Sequence, residues 1–156
     1  ISQLEKLIND LALYLDKDPS TLKKNLNHCY KKRSKKRVSA VVLASTKPLL
    51  SPNSNSWAGK LLERFNFDNI SKNLESQTEF KGYVNLSPEI ILKTKPSKII
   101  VIEFPGMSQS SSLSEPSLKK VISINNSEFI TFNYYGFINP GSLKTINSAC
   151  KKLSTI

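Results

Sequence analysis

Residues 86–103 read LSPEIILKTKPSKIIVIE, a helix signal followed directly by an apolar strand signal. Ser87 can cap the helix, Pro88 has the backbone angle of a first helical position, and Glu89 places a carboxylate in the first turn. The β-branched run over residues 98–102 predicts a buried strand. A helix that leads into a fully apolar strand is typical of an α/β domain with a mainly parallel sheet.

The same alternation of helix and strand signals continues on both sides of this stretch. Apolar periodicity and cap residues predict, in chain order, a helix over residues 2–15, a second helix from Pro19, a strand over 38–44, a helix after Ser56, a short helix over 116–121, a strand over 128–132 and a last helix from Pro140. Residues 45–55 and 66–80 carry loop-forming residues and are predicted to be irregular. We therefore predict an α/β three-layer sandwich with a mainly parallel sheet that contains residues 38–44, 98–102 and 128–132.

Ligands bind beyond the carboxyl ends of the strands in sheets of this kind. The segments that leave those ends are residues 45–56, 104–114 and 133–139. We therefore expect functional side chains in these three loops.

The chain of 156 residues has a formal net charge of +11, much of it in the basic run at residues 31–37. Such a run can bind nucleic acid or an anionic membrane. We favour a solvated helix end, because Tyr30 is the only aromatic residue beside the run and stacking platforms for bases need more. No apolar run reaches the ~20 residues that a membrane-spanning helix needs.

The residues needed for common enzyme sites are largely absent from the sequence. The single histidine, His28, lies in a predicted helix beside Cys29, and adjacent helical side chains point in different directions. The five glycines are scattered and form no phosphate-binding loop, and no zinc-type spacing of His and Cys occurs. These absences favour a binding protein over an enzyme and predict no cofactor and no bound metal.

The two cysteines, Cys29 and Cys150, fit no metal-binding spacing. We interpret them as two small, half-buried side chains on helices. A disulfide between them in an oxidising compartment is the alternative that the sequence leaves open.

Four segments carry a family pattern in the same chain order. They are the opening helices with the strand at 38–44; SPNS at 51–54 with its following helix and NFDNI at 66–70; residues 86–103; and residues 133–139 followed by PGSL at 140–143. Together they resemble the C-terminal lobe of the periplasmic substrate-binding proteins that serve ferric-siderophore, haem and cobalamin ABC importers. Asn66 stands where the family usually has glycine, and Ser97 where it usually has aspartate.

The resemblance implies a domain division and a function. Residues 1–17 would be part of the helix that connects two lobes, and residues 18–156 the C-terminal α/β ligand-binding lobe. The N-terminal lobe would then be missing from this chain, so the chain alone is expected to bind weakly and to be inert as an enzyme. The expected function is to capture an iron complex or cobalamin in the periplasm, after export by a signal outside this chain, and to deliver it to a membrane permease.

The resemblance also implies roles for particular residues. Tyr83, Tyr134 and Tyr135 occupy the positions of ligand-contacting aromatic residues, and core or rim packing is the alternative for each. Asn53 and Asn133 could orient polar groups of the ligand or could serve as turn residues. Glu89 matches a glutamate that docks on arginines of the permease. Trp57 lies on the apolar face of its helix, where a place in the core is favoured.

Two other functions remain open at this stage. One is a basic domain that binds nucleic acid or another polyanion, and the affinity of such a domain would fall steeply as the salt concentration rises. The favoured interpretation expects no nucleic acid as partner. The other is a small enzyme of flavodoxin-like architecture, which would need a loop for a phosphate-bearing cofactor.

Overall fold

A computed structural model describes residues 1–31, 36–75, 81–106 and 126–156, together with positions 116 and 123. Apart from position 116, the predicted helix at 116–121 and the serine-rich loop at 108–114 lie outside the described residues. The described elements are α1 (Ser2–Tyr14), α2 (Ser20–Lys24), α3 (Asn27–Tyr30), β1 (Val38–Leu43), β2 (Ser45–Thr46), β3 (Leu49–Pro52), α4 (Trp57–Arg64), β4 (Phe67–Asn69), β5 (Tyr83–Asn85), α5 (Pro88–Thr94), β6 (Lys98–Glu103), β7 (Glu128–Asn133), α6 (Tyr134–Phe137) and α7 (Leu143–Thr155).

The main sheet has the strand order β4-β1-β6-β7, and every neighbouring pair is parallel. This confirms the predicted α/β fold with a mainly parallel sheet. β1, β6 and β7 lie where the apolar runs predicted them. β4 contradicts the prediction of an irregular stretch, because a three-residue edge strand is too short to show a periodic pattern.

Both faces of the sheet are buried against other elements. On one face Val42 and Ile100 belong to a core cluster that includes residues from α1, α3, α4 and α7. On the other face Val41 and Ile99 pack in a second cluster with residues of β5 and α5. A strand buried on both sides gains from apolar residues at every position, which explains the continuous runs in β1 and β6.

A second, antiparallel sheet with the order β2-β3-β5 continues from the carboxyl end of β1. The backbone N–H of Ala44 donates to the carbonyl of Leu50 at 2.7 Å, which joins the end of β1 to this small sheet. The prediction of a loop over residues 45–55 is therefore wrong for β2 and β3. Two and four residues are too few to show a strand pattern, and β3 is completed by pairing with β5, about thirty residues further along the chain.

Helix starts match the predicted cap residues only in part: α2 begins at Ser20 and not at Pro19, and Ser87 precedes α5 without a side-chain capping hydrogen bond. The Ser56 hydroxyl accepts a hydrogen bond from the Gly59 N–H at 2.9 Å, as predicted for the start of α4. α7 begins at Leu143 and not at Pro140, because Ser142 forms a capping box with Thr145 and supplies the acceptor that the first turn needs.

The two cysteines form a disulfide that connects α3 to α7 across 121 residues of sequence. Cys29 and Cys150 are both fully buried. The interpretation as two unpaired small side chains is therefore wrong. Two cysteines so far apart carry no local signal of pairing, and only the packing of α3 against α7 brings them together.

α1 packs Ile8 and Ala12 against the domain and leaves several large apolar side chains exposed, namely Leu7, Leu11, Leu13, Tyr14 and Leu15. The expectation that residues 1–17 connect two lobes stays a prediction. Within the described residues, no helix combines the length and apolar character needed to cross a membrane.

Candidate ligand site at the carboxyl ends of the parallel strands

The strands β6 and β7 end side by side, with Glu103 and Asn133 as register partners. Beyond these ends lies a cavity of about 370 Å³, which we name the strand-end cavity; its lining residues are Glu103, Phe104, Pro105, Asn133, Tyr134, Tyr135 and Thr145. In parallel α/β sheets this edge is where side chains from neighbouring strands converge on a ligand.

Aromatic rings form the wall of the strand-end cavity. The rings of Phe104 and Tyr134 stack with centroids 4.9 Å apart, and Tyr134 meets Tyr135 edge to face at 5.3 Å. Tyr135 is 49% exposed, so its ring is available to a ligand. Such rings offer a large contact area, and their two side-chain torsions are already restricted by the stack.

Tyr83 approaches the same aromatic group from the small sheet, where it begins β5. Burial raises the pKa of the Tyr83 phenol, and the neighbouring Tyr134 phenol raises it further. The phenol is protonated at neutral pH, as tyrosines normally are, and can donate a hydrogen bond. Tyr134 and Tyr135 line the strand-end cavity, whereas Tyr83 lies close enough to interact with Tyr134 without being among the lining residues.

The turn that carries Tyr134 and Tyr135 is tightly held. Gly136 has φ of 90°, and a Cβ atom there would lie 2.1 Å from the carbonyl oxygen of Thr145 in α7. The indole Nε1 of Trp57 donates to the Gly136 carbonyl at 3.2 Å. Trp57 thus combines partial burial in the core with support of the aromatic turn.

The two predicted asparagines have different surroundings. Asn133 lines the strand-end cavity. Asn53 is 2% exposed; its Nδ2 donates to the Leu74 carbonyl at 3.0 Å, and its Oδ1 accepts from the Asn55 N–H at 2.9 Å. These contacts are those of the turn residue that the sequence left as the alternative, and ligand contact by Asn53 stays a prediction.

Sequence reasoning did not single out Glu103, Phe104, Pro105 or Thr145. The side-chain Oε1 of Glu103 is buried and has no hydrogen-bond partner among the described residues. One sequence signal was present: Glu103 is a charged residue at the carboxyl end of an apolar strand, next to a loop already expected to be functional.

Glu89 lies outside the strand-end cavity, exposed in the first turn of α5. A hydrogen bond from the Ser87 hydroxyl, with one from its own backbone N–H, lowers the pKa of the Glu89 carboxyl. Only three residues separate α5 from β6, so α5 runs back along the sheet and its first turn points towards the carboxyl ends of the strands.

The described residues contain no group of three or more His, Cys, Asp or Glu side chains that could hold a metal ion. Cys29 is bonded to Cys150, so its sulfur is not a free thiol that could act with His28 as a nucleophile.

Several solved structures share the fold of this chain. No family model and no curated protein matches the sequence. The fold is similar to a periplasmic vitamin B12 binding protein of Vibrio cholerae (TM-score 0.63, 17% identity, 88% of this chain and 50% of that chain). It is also similar to an ABC transporter substrate-binding protein of Listeria monocytogenes (TM-score 0.69, 14% identity, 99% of this chain and 63% of that chain). A third similar structure is an ABC-type Fe3+-hydroxamate transport system protein of Saccharomonospora viridis (TM-score 0.66, 16% identity, 97% of this chain and 53% of that chain).

The chain spans about half to three-fifths of the length of these three structures. The resemblance noted in the sequence is thus confirmed at the level of fold. The chain has an α/β fold that matches part of periplasmic substrate-binding proteins of ABC transporters.

Proposed function

We propose that the chain is a non-catalytic solute-binding lobe of an ABC importer, which captures an iron complex or cobalamin and delivers it to a membrane permease. The observation that carries the proposal is the aromatic wall at the carboxyl ends of β6 and β7. It stands at the edge where α/β sheets bind ligands, in a fold shared with proteins that bind vitamin B12 and ferric hydroxamate.

The strand-end cavity suits one wall of a larger cleft. Its volume of about 370 Å³ lies at the lower end for small-molecule sites, and good sites bury most of the ligand surface. A cobalamin or a ferric siderophore resting here would keep a large face exposed. A second lobe closing over that face would complete the site, which agrees with relatives that are longer than this chain.

The disulfide supports a location outside the cytoplasm. A buried bond between Cys29 and Cys150 persists in oxidising compartments and is rare where thiols are kept reduced. The three similar proteins are transport or binding proteins, and the one from Vibrio cholerae is periplasmic. We therefore propose a periplasmic or other extracytoplasmic site of action.

The function is tested by titrating the full natural protein with cyanocobalamin, ferrioxamine B and haemin. We expect one class to bind, and we expect Tyr134→Ala to weaken that binding roughly tenfold, because a buried aromatic anchor contributes more than about 1 kcal/mol. Tyr14→Ala is the matched control, since Tyr14 lies on α1 and is 87% exposed. Equal affinity in both variants, or no binding of any probe, would contradict the proposal.

The net charge of +11 favours a second candidate, a polyanion-binding domain. A polyanion-binding domain would bind heparin or duplex DNA, with an affinity that falls by orders of magnitude between low and physiological salt. Part of the positive charge is neutralised locally, because Lys72 and Arg37 both pair with Asp68. A solute site whose contacts are mainly aromatic, with at most one ion pair, would lose far less affinity over the same salt range, so the same titrations at two salt concentrations separate the candidates.

A further inference from the structure

We propose that Glu103 selects the ligand: its carboxylate accepts a charge-assisted hydrogen bond from a cationic group, such as a protonated amine on an iron complex. This inference rests on the proposed function and names the chemical class that the strand-end cavity prefers. It assigns a role to a residue to which the family resemblance gives none.

The position of Glu103 directs it towards the ligand. It is the last residue of β6 and alternates onto the same face as Ile99 and Val101, which are buried. Its register partner at the end of β7 is Asn133, and both line the strand-end cavity. An apolar strand that ends on a carboxylate at this edge places the charge where the sheet stops and the cavity begins.

The carboxylate lacks the partners that such groups usually have. Its Oε1 atom is buried, and none of the described residues donates a hydrogen bond to it. A buried carboxylate oxygen without a donor costs free energy, so native proteins keep few of them. Two solvent-accessible carboxylates of the chain do have basic partners: Asp68 pairs with Lys72, and Glu128 with Lys98. The Oε1 atom of Glu103 therefore has an acceptor position that a donor group of a ligand could fill.

The local charge opposes the charge of the whole molecule. Glu103 is the one charged side chain among the described residues that line the strand-end cavity. Lys152 is not among the lining residues; its Nζ donates to the Thr131 carbonyl and lies 4.8 Å from the centre of the Phe132 ring. The described lining of the cavity therefore carries one formal negative charge, on a chain whose net charge is +11.

The aromatic wall also favours a positively charged ligand. The faces of tyrosine and phenylalanine rings attract cations, and Phe104 and Tyr134 stand beside Glu103 in the lining. A protonated amine could meet the carboxylate and lie against these rings together. An anionic complex, such as one bearing free carboxylates, would meet an unfavourable charge at the same point.

The experiment compares two probes that differ by one charge. Ferrioxamine B carries a free ammonium group, and its N-acetylated form holds the same iron centre without that charge. Both are titrated into the full natural protein. We expect the ammonium form to bind roughly tenfold more tightly or better, the size of a charge-assisted hydrogen bond. Glu103→Gln should bring the ratio close to one by weakening the ammonium form.

Controls separate selection from folding. Glu63→Gln removes one charge from an exposed position on α4 and should leave the ratio unchanged. Glu103→Ala should repeat the result of Glu103→Gln, and thermal melts confirm that each variant is folded. A ratio that stays the same in Glu103→Gln overturns the inference, as does a wild-type preference for the acetylated form. Binding of cyanocobalamin or haemin with neither ferrioxamine overturns the inference alone, whereas binding of no probe overturns the proposed function as well.

Discussion

At the scale of single residues, a few side chains and one glycine determine the geometry of the strand-end cavity. Tyr134 stacks on Phe104 and touches Tyr135, so the aromatic wall depends on the turn that presents these rings. That turn can approach α7 only because Gly136 has no Cβ atom. A ligand site of this kind is therefore sensitive to a backbone position that contacts no ligand.

We expect Gly136→Ala to lower the free energy of unfolding by about 2 kcal/mol or more, because it combines a positive φ with a clash against the Thr145 carbonyl. Urea unfolding measures the change. Gly106→Ala is the matched control: φ there is 85°, but nothing lies within 4 Å of the added Cβ, so only the backbone cost of ~1–2 kcal/mol applies. Equal losses in the two variants would mean that the clash is relieved by a small shift.

At the scale of elements, helix α5 and the small sheet surround the strand-end edge from one side. β5 delivers Tyr83 to the aromatic group, and α5 follows it with its first turn towards the same edge. The exposed carboxylate of Glu89 thus stands near the cleft without lining it. Glu89 and the strand-end cavity are therefore two separate features of this edge.

Glu89 is expected to serve permease docking and not ligand capture. In the full natural protein, Glu89→Ala should reduce transport several-fold, because it removes the carboxylate that would pair with an arginine of the permease. Glu89→Arg should reduce transport more strongly, because the new cation would repel that arginine. A glutamate carboxyl is ionised at neutral pH, and the lowered pKa of Glu89 extends ionisation towards acid, so the effect should persist in mildly acidic buffer. Reconstituted uptake and ligand titration are measured separately.

Ligand affinity should stay constant in both Glu89 variants. Glu63→Arg, an equally exposed change of charge on α4, is the control for uptake. If Glu89→Arg transports as well as the wild type, Glu89 only stabilises the start of α5.

At the scale of the whole molecule, the disulfide joins segments from opposite ends of the chain. Cys29 lies in α3 and Cys150 in α7, and both belong to the core cluster that covers one face of the sheet. Close by, the His28 N–H donates to the Asn147 side chain at 3.0 Å, a second bond between the same helices. The first and last parts of the chain are thereby held against each other.

The double variant Cys29→Ala, Cys150→Ala should lower the free energy of unfolding by ~2–5 kcal/mol, because the bond closes a loop of 121 residues and its loss frees the unfolded chain. Chemical denaturation with and without reductant is the measurement. Reductant should destabilise the wild type by a similar amount and have no effect on the double variant. A wild type that is indifferent to reductant would contradict this expectation.

The sequence by itself determined three strands of the main sheet, β1, β6 and β7, and most of the helices. β1 and β6 are apolar throughout because they are buried on both faces, whereas α4 shows a cap residue and α5 a proline suited to a first helical position. Each of these signals is local, so a few neighbouring residues are enough to recognise it. Tyr83, Tyr134 and Tyr135 were named from the family resemblance, and their contact with a ligand stays a prediction.

Only the tertiary structure decided the small antiparallel sheet, the edge strand β4, the disulfide and the unpaired oxygen of Glu103. β3 is a strand because β5 pairs with it, and Cys29 is bonded because α7 brings Cys150 to it. Whether a carboxylate has a donor depends on every element around it. These features follow from contacts between distant segments, and a contact whose partner lies far along the chain leaves no pattern in the residues on either side of it.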